Sequence, residues 1–192
     1  MNLHGTIRGL APGLPLLVAG LAQGAEILDL AVVRHEDSYA AEVDVRIHAP
    51  VARVRAVVMD YEHLPRLNPS IREVRVLERQ GDRHARVRTR ARICVLFLCK
   101  DLRQVQDIDR DEEGNLMAVT DPRASDLRYG IARWRFWQEP HATRMRFYSE
   151  IEPAFWVPPF IGPFLVRHAL EREVRTTIDN LERLAKERDR AD

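Results

Sequence analysis

PFLVRHALEREVRTTIDNLERLAKE, residues 163–187, is the stretch whose reading decides the fold. Val166, Leu170, Val174, Ile178, Leu181 and Ala185 recur at spacings of three and four, while Arg167, Glu171, Arg175, Glu182 and Arg183 take the opposite face. The pattern is that of one amphipathic helix of roughly 25 residues, about 38 Å long at 1.5 Å per residue. Pro163, with φ preset and no N–H to lose, suits its first turn. A helix with one long apolar stripe needs a broad apolar partner.

The upstream residues supply it. Tyr39 to His48 alternates, with Ala41, Val43, Val45 and Ile47 on one face and Glu42, Asp44, Arg46 and His48 on the other. That is a half-buried strand, and Ile27 to Arg34 reads as a short strand before it. Pro50 opens a helical piece with Val51, Val54, Val57 and Val58; a second covers roughly 61–68 and stops at Asn68-Pro69-Ser70. Period two then returns. His84 to Ile93 sets Arg86, Arg88, Arg90 and Arg92 against Ala85, Val87, Thr89 and Ala91, and further strands read at 102–109, 116–120, 128–138 and 143–152. Residues 121–126 read as a loop. The order is strand, two short helices, a multi-strand meander and one long helix. A sheet bent around one helix leaves space between them, and such spaces are common ligand sites.

Composition removes several classes. The 192 residues, 45% hydrophobic, are enough for a full core. With 30 basic residues against 29 acidic ones there is no net field to attract nucleic acid. No apolar run approaches the roughly 18 residues of a membrane span. At the N-terminus Arg8 precedes an apolar run from Leu10 to Ala22, and Ala22-Gln23-Gly24 places small residues where a signal peptidase reads. Residues 1–25 therefore read as a signal peptide, cleaved near Gly24–Ala25 or Ala25–Glu26, with a periplasmic or secreted mature chain. The alternative is a lightly packed N-terminal tail.

Four stretches carry a family resemblance: Ile47-His48-Ala49-Pro50 continuing to Val58-Met59-Asp60-Tyr61-Glu62-His63-Leu64; Asn68-Pro69-Ser70-Ile71-Arg72-Glu73 with Val76-Leu77-Glu78-Arg79; Trp134-Arg135-Phe136; and Ile151-Glu152-Pro153 with Gly162-Pro163-Phe164-Leu165-Val166-Arg167-His168-Ala169-Leu170. Together they span roughly residues 38–186. In order and spacing the chain resembles the START/polyketide cyclase superfamily, in particular bacterial cyclase/dehydrase-like proteins related to coenzyme Q-binding START domains. The resemblance implies an α+β helix-grip fold, with residues 26–192 as a single START-like domain. It also implies an internal cavity for a hydrophobic small molecule such as a lipid, isoprenoid quinone or polycyclic compound. It does not choose among carrier, cyclase/dehydratase and ligand-free interaction module, because fold does not fix function.

The candidate wall of such a cavity consists of Trp134 and Phe136 on one strand, Met145 and Phe147 on another, and Val166 and Leu170 from the helix stripe. Its mouth would be the tip with Leu96 and Phe97, which the resemblance puts near the cavity mouth, and the loop with Phe155, Trp156, Phe160 and Phe164. An apolar hairpin tip facing water is unusual, so a lid, transient membrane contact or continued burial are the readings to separate. Cys94 and Cys99 flank four residues. If those four form the hairpin loop, the cysteines oppose each other at disulfide range; otherwise they are two free thiols in an apolar strand. The arginine ladder reads as a solvated face paired with acids on neighbouring strands. No catalytic residue, metal site or cofactor is expected: the seven histidines are scattered without ligand spacing, and there is no nucleophile elbow or phosphate loop. Glu150 with Glu152, and Asp60, Tyr61 and His63, which the resemblance places near the mouth, are the only acid/base candidates. A monomer is expected.

Overall fold

The alternating segments become strands because one face of each has an apolar surface to cover. The computed structural model describes residues 24–95, 98–156 and 163–189. Its strands are β1 (Glu26–His35), β2 (Ser38–Ile47), β3 (Ile71–Gln80), β4 (His84–Val95), β5 (Leu98–Arg110), β6 (Leu116–Thr120), β7 (Leu127–Gln138) and β8 (Thr143–Pro153). Between β2 and β3 lie α1 (Val51–Val58), a 3-10 turn at Tyr61–His63 and α2 (Leu64–Leu67); α3 (Pro163–Asp189) ends the chain. The strands form one antiparallel sheet in the order β1-β2-β8-β7-β6-β5-β4-β3. β2 and β3 are consecutive strands in sequence yet lie toward opposite edges, so α1 and α2 bridge the opening of the curved sheet. This is the helix-grip arrangement. No described helix is long and apolar enough to cross a membrane.

The core holds the C-terminal half of α3. Ile178, Leu181, Leu184 and Ala185 pack with Val54, Val57 and Val58 of α1, Leu67 of α2, and Val43, Val45 and Ile47 of β2. Polar ties fix the same end. The Glu182 carboxylate accepts from the His48 backbone N–H at 2.9 Å, and Asn180 Nδ2 donates 3.1 Å to the Leu67 carbonyl at the end of α2. The second bond satisfies a carbonyl that a helix terminus leaves open. Gly114 in the β5–β6 turn has φ +82°, and the Arg55 guanidinium lies where a side chain there would stand.

The outer face carries the charge. The Asp44 carboxylate is buried and accepts two bonds from Arg144, at 2.9 and 2.7 Å, and one from Arg146 at 3.0 Å. The Arg144 bonds, against the opposing effect of burial and with help from Arg146, hold Asp44 below its ordinary value. Arg86 pairs with Asp107 and Asp121, and Arg90 with Glu73 and Asp101. These two rungs of the arginine ladder are thus a paired, solvated face. Bulges interrupt both outer strands: at Ile27/Asp29 in β1, and at Ile71/Glu73 and Val76/Glu78 in β3.

Candidate functional site

Register fixes which side chains share the inner face. Next to α1 the first cross-strand row is Val45–Met145–Phe136, and the second is Val43–Phe147–Trp134–Leu116. Phe136 and Met145, expected as cavity wall, are packed into the filled core of this half. Trp134 and Phe147 stand at its boundary. Their rings lie 5.0 Å apart at 44°, both are partly accessible, and both pack against each of the two apolar clusters.

Beyond that pair the side chains shrink. The third row is Ala41–Ser149–Ala132–Ala118–Ile108. The fourth joins Tyr39, Ile151 and Gly130 to Thr120 and Gln106, and the fifth pairs Gln104 with Thr89. Gly130 is required where it is, because a Cβ there would overlap the Thr120 hydroxyl. Ala41, Ser149, Ile151, Gln104, Gln106 and Thr89 all remain partly accessible although they lie on the inner face. A well-packed core would close such positions. Small side chains in these rows therefore leave inner-face surface accessible that the bulky rows beside α1 do not.

The chemistry of this floor is neutral. Gln104 Nε2 donates to Thr120 Oγ1 at 2.8 Å. Among the described residues, the inner face of β2 and β4–β8 presents no carboxylate, imidazole or free thiol. Its cations stand at the two ends, Lys100 and Arg110. Nor do three or more His, Cys, Asp or Glu side chains converge among the described residues in a way that could hold a metal.

At the open end Cys94 and Cys99 pair across the β4–β5 ladder, Cα atoms 4.1 Å apart, and are joined by a disulfide. Lys100 Nζ sits 4.8 Å over the Phe155 ring, which brings the β8–α3 segment against β5. Trp156 is 75% exposed. Leu96, Phe97 and Phe160 lie outside the described residues, as do the side chains of Phe164, Val166 and Leu170.

The acid/base candidates are engaged elsewhere. Glu150 accepts from Ser38 and Tyr148, which together hold its carboxyl below its ordinary value against slight burial. Glu152 pairs with Arg128, so the two carboxylates do not act as a pair, and both are on the outer face. Asp60 and His63 pair at 2.8 Å beside Leu184 and Glu187, at the C-terminal end of α3 rather than near the open end. Tyr61 is buried under Arg79; burial raises its phenol, against the pull of Arg79 and Arg110. A cleft of about 710 Å³ at the β5–β6 turn is lined by three acids, Asp109, Asp111 and Glu113, and three arginines, Arg110, Arg133 and Arg135. Its charges cancel, and only Trp134 and Phe136 of the expected wall border it.

Sequence reasoning selected aromatic and aliphatic side chains and passed over the neutral polar Thr89, Gln104, Gln106, Thr120 and Ser149 of the inner face. Counting by two from Leu102 to Ile108 in β5 puts Gln104 and Gln106 on the inner side, a signal the sequence does contain.

The family model described as polyketide cyclase/dehydrase and lipid transport matches residues 39–186. Among solved structures, a Thermus thermophilus protein is 22% identical with TM-score 0.63, covering 76% of this chain and 96% of its own. A STAR-related lipid transfer protein fragment from Xanthomonas axonopodis is 12% identical with TM-score 0.62, covering 83% and 99%. An aromatase/cyclase from Streptomyces sp. R1128 is 18% identical with TM-score 0.57, covering 80% and 94%. No curated protein matches. The grip of sheet around helix and the family match over residues 39–186 agree: the chain belongs to the polyketide cyclase/dehydrase and lipid transport family.

Proposed function

We propose that the protein binds and carries a hydrophobic small molecule in the space between the small-residue rows of the sheet and the N-terminal part of α3. The observation that carries this is the partial accessibility of Trp134, Phe147, Ser149, Ile151 and Gln106 on an inner face whose other half is closed. Burial drives the binding, at about 0.8 kcal/mol for each ligand methylene taken from water. The Streptomyces neighbour is an aromatase/cyclase, but proton transfer needs a titratable group at the wall. Among the described residues, the inner face of β2 and β4–β8 offers amides, hydroxyls and the Tyr39 phenol, with no carboxylate or imidazole beside them, which favours carriage over chemistry. The segment over 1–25 and the joined cysteines fit a carrier working in an oxidising compartment. Native mass spectrometry of protein purified from its own cells, followed by lipid extraction, tests the reading. The expected result is an apolar molecule of defined mass that leaves on denaturation. Ligand-free protein that also fails to bind apolar fluorescent probes would overturn it.

A further inference from the structure

We infer that the ligand is a neutral molecule whose apolar skeleton carries oxygen functions, carbonyl or hydroxyl, part-way along its length. It is neither a plain hydrocarbon nor an anion seated inside. The inference rests on the binding reading above and narrows it.

The argument is one of unpaired polar groups. Thr89, Gln104, Gln106, Thr120 and Ser149 form a band across β4, β5, β6 and β8 on the inner face, with Gly130 of β7 lying flush in its middle. Gln104 and Thr120 bond one another. The Thr89 hydroxyl, the Gln106 amide and the Ser149 hydroxyl have no hydrogen-bond partner among the described residues. The Tyr39 hydroxyl, in the row of Ile151 and Gly130, is buried and likewise unpartnered. Covering such groups with hydrocarbon strips their water and returns nothing, whereas a ligand carbonyl or hydroxyl pairs with them. An amide both donates and accepts, so the band suits either function. A buried anion needs a cation beside it; the cations of the described inner face of β2 and β4–β8 stand only at its ends, and Arg34 of β1, 5.6 Å from the Tyr39 ring, is exposed and donates to the Glu36 carbonyl. Lys100 stands against the Phe155 ring at the open end, and Arg110 is at the other.

A matched ligand series decides the matter. Fluorene, fluorenone and fluorene carboxylate share one ring skeleton and differ in being hydrocarbon, neutral ketone and anion. Each is titrated against full-length protein loaded with the neutral apolar probe diphenylhexatriene, and affinities are corrected for water–octanol partition. Fluorenone is expected to displace the probe about five- to tenfold more effectively than fluorene, the worth of one hydrogen bond, and the carboxylate least effectively. Gln106→Leu should bring the ketone-to-hydrocarbon ratio toward one, and Ser149→Ala should lower it. Melting curves establish that each variant is folded, and the second variant serves if the first is not. Equal displacement by ketone and hydrocarbon, strongest displacement by the carboxylate, or a ratio that neither variant moves overturns the inference while leaving apolar binding intact. Failure of diphenylhexatriene to bind at all removes the binding reading itself, and the inference with it.

Discussion

Ser149 and Ala118 lie in the same cross-strand row, both small and both on the inner face, so enlarging each to leucine measures directly whether space lies above them. Ala118 is 0% exposed and sits among Tyr61, Ala85, Val87, Ile108 and Ala132. Three extra carbons there have nowhere to go, and overpacking of this kind costs about 1–3 kcal/mol. For a domain of this size each kcal/mol lowers Tm by about 2–4 °C, so Ala118→Leu should melt roughly 2–12 °C below the parent. Ser149 is partly accessible between Ala41 and Ala132. A leucine there projects into the proposed ligand space, and the shift should stay within about 2 °C, as expected of a change near 0.5 kcal/mol. Probe binding should respond in the opposite order, with Ser149→Leu losing at least tenfold in affinity because its side chain occupies the ligand's place. The assay is thermal unfolding by circular dichroism beside titration with diphenylhexatriene. If Ser149→Leu destabilises as strongly as Ala118→Leu and still binds probe, no open space lies over Ser149 and the reasoning is wrong.

Three further outcomes are expected. Asp44→Asn should cost about 1–3 kcal/mol at neutral pH, since it breaks charge-assisted bonds at a buried carboxylate. Because Asp44 is held below 3.8 in the fold, that stability is complete above 3.8 and is lost as pH falls through the folded value; parent and variant melting curves measured against pH should converge in strong acid, and a gap that persists there contradicts the assignment. Protein isolated unreduced should resist alkylation at Cys94 and Cys99 until reduced, and the chain-entropy model gives this short loop about 2 kcal/mol of stability on bridging; rapid labelling of both thiols without reductant would count against the bond. Gly130→Ala should destabilise by about 1–3 kcal/mol through collision with Thr120, and Thr120→Ser should not relieve it, because the overlapping oxygen is retained; a neutral Gly130→Ala shows that β7 can move aside.

The sheet and the long helix were legible because their periods are clean. The α3 stripe from Val174 to Ala185 and the β2 alternation at Val43, Val45 and Ile47 are the residues that meet in the core. Strand ends were less so. β5 begins at Leu98 rather than Leu102, because pairing with β4 carries it through the joined cysteines to the tip. The site was legible only as its boundary. Large apolar residues mark packing, and packing is what Phe136 and Met145 do, while Trp134 and Phe147 stand partly accessible between the two apolar clusters. The floor itself is defined by what is small or neutral-polar, and such residues look ordinary in a strand. β5 hides them further. Val105 lies on its outer face yet is buried, with its carbonyl accepting from Asp121 and its N–H donating to Ser125, whereas Gln104 and Gln106 point inward. Hydropathy read along this strand therefore points the wrong way.

The bulges in β1 and β3 bear on how this sheet behaves at high concentration. Unlike a closed barrel, an open sheet ends in two strands whose outer N–H and C=O groups invite another chain to add on. β1 breaks its run at Ile27/Asp29, and β3 breaks twice within ten residues while exposing Arg72, Glu73, Arg75, Glu78 and Arg79. A second molecule docking edge to edge would lose register after a few hydrogen bonds and would have to desolvate the charged side chains of β3. The grip can thus stay an open sheet without its rims becoming templates for fibril growth.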